Sequence, residues 1–284
     1  MLSFKDIAFL AEELHKELKD VLNEPENNRD NSYGKAHQKK LNNFTSKVRE
    51  LSSRGEDSGL EDSKPKKGSS RAVFFPKEHK DIIIDNVPTK QKTVVKVAFH
   101  GALDKHTGSE RLLGEHQNEV ESDHFTRQHY SVLSHEGGST YTHNPHGVTA
   151  PVFDSHEDHH WLEMGHADKL TGKKFTELTK TESHPKGLKF EHFTEALNND
   201  HRAAHGHATG IDDHDHLRTH PLYENMQDFI QTTGNHPGDL RLQNMGVWKH
   251  PVTGKEQPVI RDYGYSHEID KLYTKARRNK YKNK

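Results

Sequence analysis

The chain has 284 residues, of which 29% are hydrophobic and 30% charged, with a formal net charge of −2 and no cysteine. That size admits one large domain or a medium domain with an appendage, and the low apolar share implies a modest core with long polar loops. Disulfides and thiolate metal sites are excluded, no apolar run approaches the roughly 20 residues of a membrane span, and the near-neutral charge does not point to a nucleic-acid partner. The start, MLSFKDIAFLAEELH, carries acids inside its apolar stretch and does not read as a signal peptide, so a cytoplasmic protein is expected. Histidine is the outlier at 26 copies, which makes the charge unusually pH-sensitive near pH 6 to 7.

Residues 1–24 predict an amphipathic helix, with Phe4, Ile7, Ala11, Leu14, Leu18 and Val21 on one seam. A second helix carries Leu41, Phe44, Val48 and Leu51 on one face. Residues 1–52 therefore read as a helical hairpin, which either docks on the main domain or offers its seam to a protein partner. The polar, turn-rich stretch 53–67 reads as a linker.

Strands are predicted over Arg71–Pro76, Asp81–Asp85 and Lys92–Phe99. In the last of these, Val94, Val95, Val97 and Ala98 surround Lys96, and a lysine inside an apolar strand is costly unless its ammonium finds a partner. A helix is expected over about 110–125, with Glu115, Glu119 and Glu121 among its acids, and Val148–Phe153 reads as a further strand. His156, His159 and His160 read as a wet turn rather than a zinc site. The pattern turns helical over 174–195, becomes polar and rich in His and Asp over 198–220, and returns to a helix over 221–232 with proline in its first turn.

Next comes GNHPGDLRLQNMGVWKHPVTGKEQPVIRDYG, from Gly234 to Gly264. Two short strands, Met245–Trp248 and Gln257–Ile260, flank a turn at Pro251–Gly254. Such a hairpin returns Asp262 to the neighbourhood of Asn244. Two oxygen donors brought together suit a hard cation such as Mg2+, leaving Asp239 to orient or deprotonate an attacking hydroxyl.

GDLRLQN followed by IRDYG resembles the catalytic loop and metal-binding triplet of the protein-kinase-like superfamily, including its aminoglycoside-phosphotransferase branch. The compact C-terminus is similar to kinase-like proteins of bacteriophages, which would place the chain in host cytoplasm or a virion. The resemblance implies an α+β, two-lobed fold: a small antiparallel sheet with one helix over 68–165, a reduced helical lobe over 166–284, and the helical hairpin in front. It implies an ATP- and Mg2+-dependent phosphotransferase acting on a protein or small-molecule hydroxyl. In it Lys96 contacts the nucleotide phosphates, oriented by Glu121 or, second, Glu119. Asn244 and Asp262 hold metal, and Asp239 is the catalytic base. Gly68, Ser69 and Ser70 resemble a phosphate-covering loop with fewer glycines than usual. Trp161–Gly165 resembles the hinge, where the backbone of Glu163 and Gly165 would meet an adenine edge.

Two departures weigh on transfer more than on binding. His236 stands three residues before Asp239, which disturbs the family's His-x-Asp pattern, and only twenty residues follow Gly264, too few for the usual peptide-binding helices. The alternative is a catalytically silent, kinase-shaped binding or structural protein, such as a virion or assembly component. The basic tail KLYTKARRNKYKNK reads as a solvated terminus.

Overall fold

The computed structural model describes residues 60–61, 66–67, 71–98, 117–123, 130–135, 138–143, 147–207, 214–234 and 236–262, with 5–10, 12, 42–43, 46 and 114. In chain order the strands and helices are β1 (Lys66–Lys67), β2 (Arg71–Phe74), β3 (Lys80–Ile84), β4 (Val87–Gln91), β5 (Thr93–Ala98), β6 (Tyr130–His135), β7 (Gly138–His143), β8 (Val152–Ser155), β9 (Trp161–Gly165), β10 (Asp168–Lys169), α1 (Gly172–Leu178), α2 (Phe190–Ala204), α3 (Asp215–Arg218), α4 (Pro221–Thr233), β11 (Met245–Lys249) and β12 (Glu256–Ile260). Residues 117–123 are also helical. The class is α+β, with mainly antiparallel sheets.

Five strands in the order β1-β2-β5-β9-β8 make the sheet that carries Lys96. Side chains alternate faces along a strand. On one face Ala72, Phe74, Val95, Val97 and Trp161 pack with Leu60 and with Ile7 and Leu10 from helical residues 5–10. On the other face Val94, Leu162 and Met164 join the main core. The pleat puts Lys96 on the face of Val94, and β5 is buried along its whole length.

Part of the stretch expected to be linker is structured. Leu60 is buried and bridges Pro76, and Lys66–Lys67 is a strand. Ile7 docks on the sheet, as does Leu10, which the seam reading left out. The rest of the expected helical hairpin, beyond residues 5–10, 12, 42–43 and 46, lies outside the described residues, as does the basic tail.

A second sheet runs β4-β3-β7-β6. β3 and β4 join through Asp85 and Asn86, both at positive φ (50° and 63°), the conformation a two-residue hairpin of this kind requires. β3 and β7 pair in parallel, Ile83 opposite Thr140. A third sheet, β10-β11-β12, contains the expected hairpin, with Met245 opposite Ile260. Gly254 at φ 71° closes its turn.

The helical pattern expected over 174–195 resolves into α1 and α2. In α2, Phe190, Phe193, Ala196 and Leu197 recur at helical spacing and are buried. Pro221 opens α4, the His220 side chain accepts from Leu222 N–H, and left-handed Gly234 (φ 65°) closes it. α4 buries Tyr223, Met226, Phe229 and Ile230, while Leu222 is only partly buried. Asp200 of α2 binds α3 and α4 together, accepting from Arg218 at 2.6 Å and from the Tyr223 hydroxyl at 2.7 Å. No described helix is long and apolar enough to cross a membrane.

Candidate active site

Lys96 finds the partner that its buried position demands. Its ammonium donates to Glu121 at 2.7 Å and to the Arg261 carbonyl at 2.6 Å, and it lies 3.5 Å from Asp262. Glu121 comes from the helical residues 117–123, and both side chains are almost wholly buried. Of the two candidate glutamates, then, Glu121 meets Lys96. Glu119 faces the other way, 4.0 Å from the His159 ring. Two residues along a helix turn a side chain by about 200°, so only one of the pair can reach the sheet.

A second cation stands beside Lys96. Arg71, at the start of β2, is on the same sheet face because Val73 lies opposite Lys96 and Arg71 is two residues away. Its guanidinium donates to Glu121 at 2.8 Å, to Asn118 at 3.2 Å and to Asp262. From the sequence, Arg71 is expected at a strand start and not among the site residues. The signal was available: a charged residue opening the apolar run RAVFF poses the same problem as the lysine in VVKVA.

The stretch from Asp239 to Asp262 approaches this cluster as the hairpin predicts. Asp239 ends one 3-10 turn (Pro237–Asp239) and Asn244 ends the next (Leu242–Asn244). The Asn244 amide donates to Asp239 twice, to its carbonyl at 2.8 Å and its carboxylate at 3.0 Å. After the hairpin, the N–H groups of Arg261 and Asp262 both donate to the Asn244 carbonyl, at 2.9 and 3.2 Å. His236, which displaces the expected motif, accepts from Gly238 N–H at 3.0 Å and fixes the turn before Asp239.

The two aspartates ionise differently. Burial pushes the Asp239 carboxyl up to about 6, and the negative charge of Asp262 adds to the effect. Burial would raise Asp262 as well, but Lys96 and Arg71 outweigh it and hold this carboxyl at about 2. The Asp262 side chain is 54% exposed, so solvent screens part of that attraction. Burial and the neighbouring Arg71 lower the Lys96 ammonium below its usual value, against the pull of Glu121 and Asp262.

Arg71, Lys96 and Asp262 line a cavity of about 560 Å³. Val73, Phe75, Val94, Met164 and Ala167 give it apolar walls, and Lys66, Arg71, Lys96, Lys169 and Arg261 outnumber Asp168 and Asp262 around it. Apolar walls interspersed with an excess of cations suit a flat ring bearing an anionic chain. Phe75 and His166 meet edge to face at 5.9 Å, and burial together with Lys92 lowers the His166 ring below its usual range, favouring the neutral form.

The adenine contacts expected of Glu163 and Gly165 meet prior commitments. β9 is flanked on both sides, by β5 and β8. Gly165 N–H donates to the Pro151 carbonyl at 2.7 Å, and Glu163 pairs with Asp154 across β8. The Glu163 side chain is buried too, bonded to Lys80 at 2.6 Å and Thr93 at 2.7 Å. The cavity instead borders Met164 through Lys169, one step further along the chain. Gly68, Ser69 and Ser70, the expected phosphate loop, lie outside the described residues; the strands on either side of them, β1 and β2, pair antiparallel.

Asn244 and Asp262 supply the hard oxygen donors that Mg2+ prefers, and the backbone bonds at Asn244 hold them side by side, so the donor chemistry fits. Another grouping, His156, Asp158 and His160, also brings possible ligand atoms within 4.8 Å of one another. There, however, Asp158 N–H donates to His156 Nδ1 at 3.0 Å, and the His156 and His160 rings stack at 4.3 Å. Parallel rings aim their in-plane lone pairs past one another, so this grouping would have to rearrange to chelate an ion. No protein-family model matches the chain, and no curated protein matches it in sequence.

Proposed function

We propose that this protein is a phosphotransferase of the protein-kinase-like type, two-lobed around the cavity, that uses ATP and Mg2+ to phosphorylate a hydroxyl on a protein or small molecule. The observation that carries this reading is convergence. Lys96 from a strand, Glu121 from a helix and Asp262 from beyond the hairpin meet beside the cavity, with Asn244 bonded to the Asp262 backbone and to Asp239. A cation buried only to stabilise the fold needs one carboxylate. Here two cations, held from behind by buried Glu121, line the cavity beside the exposed carboxylate of Asp262, an arrangement suited to a triphosphate.

In this reading Lys96, held by Glu121, donates to nucleotide phosphate oxygens, and Asn244 and Asp262 hold the metal. Bound Mg2+ supplies charge neutralisation of the phosphates. Asp239 accepts the proton of the acceptor hydroxyl while its oxygen bonds to the γ-phosphorus. The bond from that phosphorus to the β,γ-bridging oxygen breaks, and its electron pair leaves with ADP. A carboxyl with a pKa of about 6 is largely ionised at neutral pH yet basic enough to take the proton.

A second reading has its own support. Arg71 occupies the Asp262 carboxylate with a resident cation, which is what a nucleotide-binding protein that no longer transfers phosphate would tolerate. Incubation with γ-labelled ATP and Mg2+ separates the two. Transfer predicts label incorporated by the wild type and reduced by about 10²-fold or more in Asp239→Asn, the range a general base contributes. Thermal stabilisation by ATP without incorporation selects the silent binder. Neither response overturns both.

A further inference from the structure

Arg71 has more partners than its own charge requires. Lys96 already neutralises Glu121 at 2.7 Å, so the second cation of the cluster is balanced by Asp262. Those partners are unequal. Glu121 and Asn118 are fully buried, whereas the Asp262 side chain is 54% exposed and borders the cavity. Asp262 is therefore the one partner that a ligand entering from solvent can take away. Once it is taken, the guanidinium keeps Glu121 and Asn118 and presents its remaining N–H donors to the cavity it already lines. A planar guanidinium matches the oxygens of a phosphate in pairs, which a lysine ammonium cannot do.

We propose that Arg71 is an exchangeable internal cation: it neutralises Asp262 until a divalent ion arrives, then turns its free edge to the phosphates of the nucleotide. The phosphate half of this inference rests on the phosphotransferase reading; the competition for Asp262 does not. The arrangement makes Arg71 a positioning residue for the metal and a second phosphate donor beside Lys96. It also gives the protein a charge-balanced site before any ligand binds, because two cations and two carboxylates cancel.

Manganese(II) alone, titrated into the full chain and followed by the paramagnetic resonance of the free ion, tests the competition without nucleotide. Arg71→Gln is expected to bind Mn2+ at least tenfold tighter than wild type, and adding Asp262→Asn to that variant should abolish the gain. Unchanged or weaker Mn2+ binding by a folded Arg71→Gln, or a gain that survives Asp262→Asn, overturns the proposal. Should Arg71→Gln fail to fold by circular dichroism, Arg71→Lys reads the same competition. It keeps the charge but reaches fewer acceptors, and about threefold tightening is expected, with no tightening overturning the idea. Calorimetry with ADP at saturating Mg2+ tests the second half: Arg71→Gln should bind at least tenfold more weakly than wild type, and equal affinities would remove Arg71 from the phosphates. A wild type that binds no ADP with or without Mg2+ defeats the phosphotransferase reading, while the Mn2+ comparison still decides the exchange at Asp262.

Discussion

Asp262 and Asp239 are the same residue type on either side of one hairpin, and their surroundings drive them apart. Asp262 faces Arg71 and Lys96 and stays ionised down to about pH 2. Asp239 has a neutral amide from Asn244 as its close partner, loses water to burial, and feels the charge of Asp262; its carboxyl rises to about 6. One carboxylate is thereby fitted to hold a cation permanently and the other to exchange a proton near neutral pH. Separating two acids by environment rather than by residue type is how one site carries two roles.

The comparison breaks most completely if the cation side loses its anchor. Glu121→Ala leaves Lys96 and Arg71 buried with the half-exposed Asp262 as their one shared carboxylate. Removing one partner of a buried ion group costs about 3–5 kcal/mol. Urea denaturation of Glu121→Ala should show a loss of that order, against about 0.5 kcal/mol or less for Glu119→Ala, whose carboxylate is 4.0 Å from His159 and partly exposed. Similar losses for both variants would mean that the Lys96–Glu121 pair does not anchor the site.

A smaller effect is expected where the two sides touch. The Lys96 ammonium holds the Arg261 carbonyl at 2.6 Å, and Arg261 N–H holds Asn244. Gly246 sits beneath this contact in β11: a Cβ there would stand 2.6 Å from the Ala167 Cβ, 2.9 Å from the Asp168 carbonyl and 3.1 Å from the Arg261 Cδ. Gly246→Ala should therefore cost about 1–3 kcal/mol, the usual range for overpacking, and weaken ADP binding along with stability. Wild-type stability in this variant would show that Arg261 and β10 yield freely.

The two sides were not equally legible in the sequence. Asp239, Asn244 and Asp262 stood out because turn and hairpin chemistry act over short distances: GDLRLQN and the Pro251–Gly254 turn specify their own geometry. Lys96 stood out as a charge in an apolar run. Arg71 met the same test and went unread because its run begins with it, so the charge could be taken for a strand end. The choice between Glu119 and Glu121 needed the docking of the helix on the sheet, and helical periodicity cannot supply that. β6 and β7, YSVLSH and GSTYTH, lack a clean apolar–polar alternation, and the parallel pairing of β7 with β3 depends on contacts far apart in sequence. WLEMG reads as a strand from its composition, but that β9 has a neighbour on each edge follows only from the tertiary arrangement.

The smallest expected effect is the sharpest test of the contrast, because the two aspartates act on stability with opposite sign. Asp239 has its folded pKa raised from 3.8 to about 6, so the folded state binds its proton more tightly than the unfolded chain does. Its contribution to stability is fully present below pH 4 and is lost as pH rises through 6. Asp262, lowered from 3.8 to about 2, contributes above pH 4 and loses that contribution as pH falls through 2. Asp239→Asn removes the first of these and leaves the second. At about 1.4 kcal/mol per pH unit, reduced because Asp239 is only partly buried, the variant should exceed wild type by about 1–2 kcal/mol at pH 8. The advantage should shrink to near zero at pH 4, where Asp239 is protonated in the folded wild type and already as neutral as asparagine. Urea midpoints at pH 4, 6 and 8 measure it. An advantage that does not change with pH would place the cause in packing rather than in ionisation, and Asp239 would then lose its claim to a proton that moves near neutral pH.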